Sequence, residues 1–257
     1  MLSSLTPLIC TLGALGSADT AAAEVEGLIT LPAALVAPVV EKVKWNDSLG
    51  VATVSGTIKF KGDAPARAVL DTSSDGKCHG PEVLDETVIV SDAGGLKNVF
   101  VWISDGVKDY KFETPTEPAI LTQKGCVYVP HVLGVMEKQP LQIRNEDATT
   151  HNVHSFSKKN KGFNQAQPEG APALEKEFKR DEGLFQIKCD MHAWMGCWVA
   201  VVDSPFFAVS DDAGNFTLPK MPAGTFELSI KHESLGTQKK TITIVEGADQ
   251  ALEFTLE

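Results

Sequence analysis

Short runs of β-branched and aromatic residues, each closed by a cluster of Gly, Pro, Asp or Asn, recur from Val51 onward. Val54-Ser55-Gly56-Thr57-Ile58-Lys59-Phe60 alternates with the period of a half-buried strand, and Lys61-Gly62-Asp63-Ala64-Pro65 turns the chain away. Runs at 87–90, 98–103, 126–130, 141–145, 184–188 and 198–202 read the same way. In the last third, 211–218, 222–230, 241–245 and 252–256 follow at short intervals with turn signals between them. Helical periodicity is scarce, so the chain is expected to be all-β and to form sandwiches. A length of 257 residues with 43% hydrophobic residues allows two ordinary domains with packed cores. Residues 109–122 are polar, with Pro115 and Pro118. Residues 157–182 read as an irregular insert rich in Lys, Glu, Gly and Pro, the kind that is usually functional or mobile.

One stretch carries chemistry. Cys189-Asp190-Met191-His192-Ala193-Trp194-Met195 puts a thiolate, an imidazole and a thioether on one short connection between two strand-like runs. His151-Asn152-Val153-His154 supplies the further nitrogen that such a site needs. Two imidazoles, one cysteine and a weak axial methionine make the donor set of a blue-copper centre, here His151, Cys189, His192 and Met195. Zinc is the alternative for a Cys-x2-His pair with a distant His, but it prefers four N, S or O donors and has no use for Met195. His154 competes with His151. A strand turns i and i+3 to opposite faces, so His154 is read as support rather than ligand. His131 follows Pro130 as a polar strand-end residue, and His79 and His232 are read as surface histidines. Trp194 and Trp198 are core residues on the plain reading; Trp194 alternatively belongs to a docking face for a redox partner. Four donors leave no open position for a substrate, so an electron carrier is expected rather than an enzyme.

Asn145 followed by His151-Asn152-Val153-His154-Ser155-Phe156, with Cys-x2-His-x2-Met later, resembles the cupredoxins, and most closely their amicyanin-type members. The resemblance implies a Greek-key β-sandwich over 123–203 and one type 1 copper. It makes His151 and His192 the imidazole ligands, Cys189 the thiolate and Met195 the axial ligand. It also makes Asn152 a residue beside the first ligand that ties the two ligand segments together. A redox protein, a cytochrome c or a dehydrogenase such as an amine dehydrogenase, is the implied partner. Cys197 and the 157–182 insert depart from the pattern. The last third resembles carboxypeptidase regulatory-like domains through Asp212-x-Gly214-x-Phe216-x-Leu218 and Pro222-x-Gly224-Thr225-Phe226. Ser55-Gly56-Thr57-Ile58 and 98–103 look like the opening strands of the same sandwich. That resemblance implies one sandwich, in parts 50–122 and 204–257, with the 123–203 unit inserted in it or adjacent to it; three independent β-units in a row are the alternative. Insertion requires strands of 50–110 to pair with strands of 210–257.

The start of the chain has an apolar run from Leu5 to Leu15 and then Ala21-Ala22-Ala23, the outline of a secretory signal over 1–23, without the usual basic start. Export to a periplasm or the exterior is therefore expected, with 24–49 a linker or docking segment. No later stretch is long and apolar enough to span a bilayer. Of five cysteines, Cys10 leaves with the leader and Cys189 goes to the metal. Cys78 and Cys126 are the expected disulfide, since exported proteins keep such bonds, and Cys197 is left over. The net charge of −11 lies outside 123–203, where ten Lys and Arg balance ten Asp and Glu. An acidic surface argues against nucleic acid and suits steering of a basic partner such as a cytochrome. Two other functions fit the same residues: copper binding or delivery without a redox partner, and a carbohydrate- or surface-binding structural sandwich with the metal as a staple.

Overall fold

Alternating side chains dominate the structure because β-branched runs have an apolar face to bury and Gly- and Asp-rich turns to separate them. The structure, a computed structural model, describes residues 41–78 and 82–257. The proposed leader, Cys10, most of the 24–49 segment and His79 lie outside the described residues. The fold is all-β, and the only helical pieces among the described residues are two short 3-10 turns, Asp47–Leu49 and Gly76–Cys78.

Strands from 119 to 202 form two sheets of their own. The five-stranded one runs Asn164–Gln167, His151–Ser155, Glu182–Lys188, Gly196–Val202, Val132–Met136. The four-stranded one runs Leu174–Glu177, Pro140–Asn145, Ala119–Gln123, Tyr128–Val129. Between them lie Leu121, Tyr128, Leu141, Ile143, Val153, Ile187, Val199 and Val201, all buried. Ala119–Gln123 pairs in parallel with Pro140–Asn145 and so belongs to the second of these sheets. The 157–182 segment is not irregular throughout. It contributes Asn164–Gln167 and Leu174–Glu177, one strand to the edge of each sheet, and its polar composition reflects that edge position.

Two further sheets draw on both sides of this unit. Phe100–Asp105 pairs with Gly224–His232 and with Phe207–Val209. Val54–Phe60 pairs in parallel with Gln250–Leu256 and antiparallel with Asn215–Thr217. Their shared core holds Val54, Ile58, Val101, Ile103, Phe216, Leu228, Ile230 and Phe254. The run at 87–90 makes only a single bridge, Val90 to Leu96, rather than the expected strand. Val43–Lys44 pairs with Tyr110–Lys111, and Trp45 packs edge-on against Phe206, so the end of the 24–49 segment is docked.

A third cluster, Phe100, Val132, Met136, Leu184, Ala200 and Val202, joins the inner sandwich to the outer sheets. Gly134 sits at this seam. A Cβ there would lie 2.4 Å from the Phe207 ring and 2.7 Å from the Phe100 ring, so the close approach requires glycine.

Candidate metal centre

The hairpin Glu182–Lys188 and Gly196–Val202 closes at the pair Lys188 and Gly196, and its connection is the cysteine stretch. Two backbone bonds tighten that connection: Cys189 N–H donates to the Met195 carbonyl at 3.0 Å, and Met195 N–H to the His192 carbonyl at 2.9 Å. His151–Ser155 is the other neighbour of Glu182–Lys188, with Lys188 opposite His154. Continuing that antiparallel register brings His151 alongside the loop. Alternation turns Val153 into the core, together with His151, and leaves His154 on the far face.

The three N and S donors meet. His151, Cys189 and His192 are buried, and their ligand atoms all lie within 4.8 Å of one another. His151 Nδ1 is 2.9 Å from His192 Nδ1, and Cys189 Sγ is 3.6 Å from His192 Nδ1. Met195 is fully buried in the same core as Cys189.

Each imidazole meets a carboxylate that composition does not single out. His151 Nε2 is 2.9 Å from Asp147 Oδ2, and His192 Nε2 is 3.0 Å from Asp75 Oδ2. A carboxylate accepts, so each Nε2 carries its ring's proton and each Nδ1 is left as a lone pair. Two lone pairs 2.9 Å apart, beside a buried sulfur, repel unless a proton or a metal cation lies between them. Burial also pushes His151 below the usual imidazole range, against the opposing pull of Asp147. The donors that converge are therefore two nitrogens and one sulfur, with Met195 in the same buried core, which fits copper better than zinc. Two other groupings, Asp75 with Cys78 and His192, and Cys126 with Asp147 and His151, do not make rival sites. Cys78 and Cys126 are joined to each other by a disulfide, so neither offers a thiolate.

Asn152 bridges the two ligand segments. Its side-chain oxygen accepts from Asp190 N–H at 2.6 Å, and its backbone N–H points at Cys189 Sγ at 3.5 Å. Tyr128 does the same from beneath, its hydroxyl donating to the Asn152 carbonyl at 2.8 Å and approaching the Lys188 carbonyl at 3.3 Å. Burial drives the Tyr128 phenol far above its ordinary range, so it stays a donor. His154 does not reach the centre; its Nδ1 meets Asp190 at 3.0 Å. Trp194 is half-buried, donates to the Cys126 carbonyl at 3.0 Å and lies 5.0 Å from the His192 ring.

Cys197 is buried and free, and burial pushes its thiol well up, which keeps it protonated and inert. His131 meets Glu233 at 2.7 Å and is not among the grouped donors. His232 is not a surface residue: it is 1% exposed, and its Nδ1 accepts from the Ser234 and Leu235 N–H groups at 3.3 Å each. The turn after Gly224–His232 folds back over it, which its isolated place in the sequence does not signal.

No protein-family profile matches the chain, and no curated protein does. Several solved structures are similar over part of it. A Cu-containing nitrite reductase from Thermus scotoductus SA-01 is 17% identical over 34% of this chain and 23% of its own, with a TM-score of 0.31. A purple cupredoxin from Nitrosopumilus maritimus is 22% identical over 32% of this chain and 98% of its own, with a TM-score of 0.28. Amicyanin from Paracoccus versutus is 18% identical over 35% of this chain and 85% of its own, with a TM-score of 0.30. Each likeness is partial, and the chemistry below rests on the donor geometry instead. No helix among the described residues is long and apolar enough to cross a membrane.

Proposed function

We propose that the chain is an exported type 1 copper protein that passes single electrons between redox proteins, with one copper held by His151, Cys189, His192 and Met195. The observation that supports it most is the facing pair of Nδ1 atoms beside Cys189 Sγ, with each Nε2 turned onto a carboxylate. Bound copper would supply one-electron redox chemistry. The chain's own residues supply the rest. The hairpin and Asn152 hold the sulfur and the nitrogens in place, so that little moves when charge changes. Burial of all four side chains keeps bulk water from the donors. On this reading, 119–202 is the cupredoxin unit. The strands on either side of it form a carboxypeptidase regulatory-like sandwich that carries it, and a basic partner such as a cytochrome c meets the acidic molecule.

The test is to load the metal-free chain with copper(II) and record its visible spectrum. An intense sulfur-to-copper charge-transfer band that a reductant bleaches and an oxidant restores is the expected result. A colourless adduct, or tight binding of zinc in preference to copper, would reject the proposal.

A further inference from the structure

His192 lies on an exposed-looking loop between Met191 and Ala193, yet it is 3% exposed. The cover comes from far away in the sequence. Asp75 reaches His192 Nε2 with Oδ2 at 3.0 Å, and the same oxygen accepts from the Thr149 hydroxyl at 2.7 Å. Its other oxygen accepts from Lys77 N–H at 2.8 Å, and its carbonyl from Cys78 N–H at 3.0 Å, so the carboxylate caps its own turn. That turn is fastened to the inner sandwich by the Cys78–Cys126 disulfide. Cys126 is itself a junction. Its N–H donates to Asp147 at 2.9 Å, the carboxylate that holds His151, and its carbonyl accepts from Trp194 at 3.0 Å, whose ring packs beside His192.

We propose that Asp75 is a positioning residue for the metal centre, delivered by the disulfide-pinned turn of the outer unit, and that it holds His192 as the Nε2–H tautomer with Nδ1 facing the other donors. The role in copper binding rests on the function proposed above; the role in fixing the ring does not. A carboxylate behind an imidazole fixes its orientation and raises its basicity, which strengthens binding of a divalent ion. Asp75 acts on His192 as Asp147 acts on His151, but from the loop between Val54–Phe60 and Phe100–Asp105, outside the inner sandwich. The metal centre is therefore completed only when the two units are joined.

The experiment uses the full chain, histidine-15N labelled and metal-free, at mildly alkaline pH. Long-range 1H–15N correlation reads the tautomer of each ring. His192 in the unmodified chain is expected as Nε2–H. Asp75→Ala is expected to lose that preference. A His192 that stays Nε2–H in Asp75→Ala overturns the proposal. If Asp75→Ala does not fold, the chain with Cys78 and Cys126 both changed to Ser gives the same reading through the turn: loss of the preference supports it and retention overturns it. Copper(II) titration of the folded variants adds a second readout, with affinity in Asp75→Ala expected to fall about 10- to 100-fold. If the unmodified chain binds no copper, the copper proposal fails, and the tautomer measurement still decides the part played by Asp75.

Discussion

Cys189 is the residue whose replacement separates the metal chemistry from the fold. It is 2% exposed, and its thiol lies 3.3 Å from the Asn152 side-chain oxygen, a bond that a serine hydroxyl makes equally well. Cys189→Ser should therefore keep the folded circular dichroism and abolish the visible band of the copper-loaded chain. Tyr128→Phe tests a different link. It removes the hydroxyl that serves the carbonyls of Asn152 and Lys188 and leaves a buried acceptor short of a partner, at about 1–3 kcal/mol. Denaturant unfolding of the metal-free chain measures that loss. At this scale the candidate donors stand out in the sequence, because thiolate, imidazole and thioether are scarce and three of the four share one short loop. The carboxylates are not. Among 34 acidic residues nothing in spacing marks Asp75, and Asp147 is marked only by standing one turn ahead of His151.

Strands are legible where apolar residues alternate or form a β-branched run, as in Val54–Phe60 and Gly196–Val202. They are missed where an edge position makes the run polar, as in Asn164–Gln167, or where prolines precede it, as in Ala119–Gln123. Conversely, 87–90 has strand-like composition but no neighbour to pair with beyond one bridge. The seam between the units makes its own demand on sequence. Gly134→Ala drives a methyl into the Phe207 and Phe100 rings, and Phe100 is fully buried with nowhere to go. The expected loss is about 1–3 kcal/mol, read as a lowered unfolding midpoint. The turn at 157–160 depends on charge. Burial pushes the Glu182 carboxyl up, but the Ser157 hydroxyl, Lys158 N–H, Asn160 amide and Lys159 N–H outweigh it and hold the group below its ordinary value of 4.5. An acid lowered in the folded state stabilises above its unfolded pKa, and that stabilisation fades as pH falls through the folded one. Amide exchange at Lys158 and Lys159, corrected for its intrinsic rate, should thus accelerate on acidification below about 4.5, the ordinary carboxyl value. Glu182→Gln should show the faster exchange already at neutral pH.

For the molecule as a whole, the Cys78–Cys126 bond closes a loop of sequence separation 48. Cross-linking across such a distance contributes roughly 2–4 kcal/mol by restricting the unfolded chain. Reduction under native conditions should lower the unfolding midpoint accordingly in a side-by-side denaturant titration with and without dithiothreitol. Unchanged stability would mean that the reduced unfolded chain is already compact there. The pairing across the interruption between Phe100–Asp105 and Gly224–His232 is the one that insertion requires, and in the sequence it is legible only through the resemblance of the motifs on the two sides of the histidine and cysteine stretches to one sandwich.

The interleaving of the strands has one more consequence. Every sheet partner of the inner sandwich lies between 119 and 202, whereas Val54–Phe60 waits for Gln250–Leu256. Excising the inner piece by itself would retain His151, Cys189, His192 and Met195 yet amputate Asp75 and half of the sulfur bridge. Such a miniature would be a loosened version of the parent pocket, and swapping the carrier for another scaffold would retune its grip on the ion without altering a single ligand.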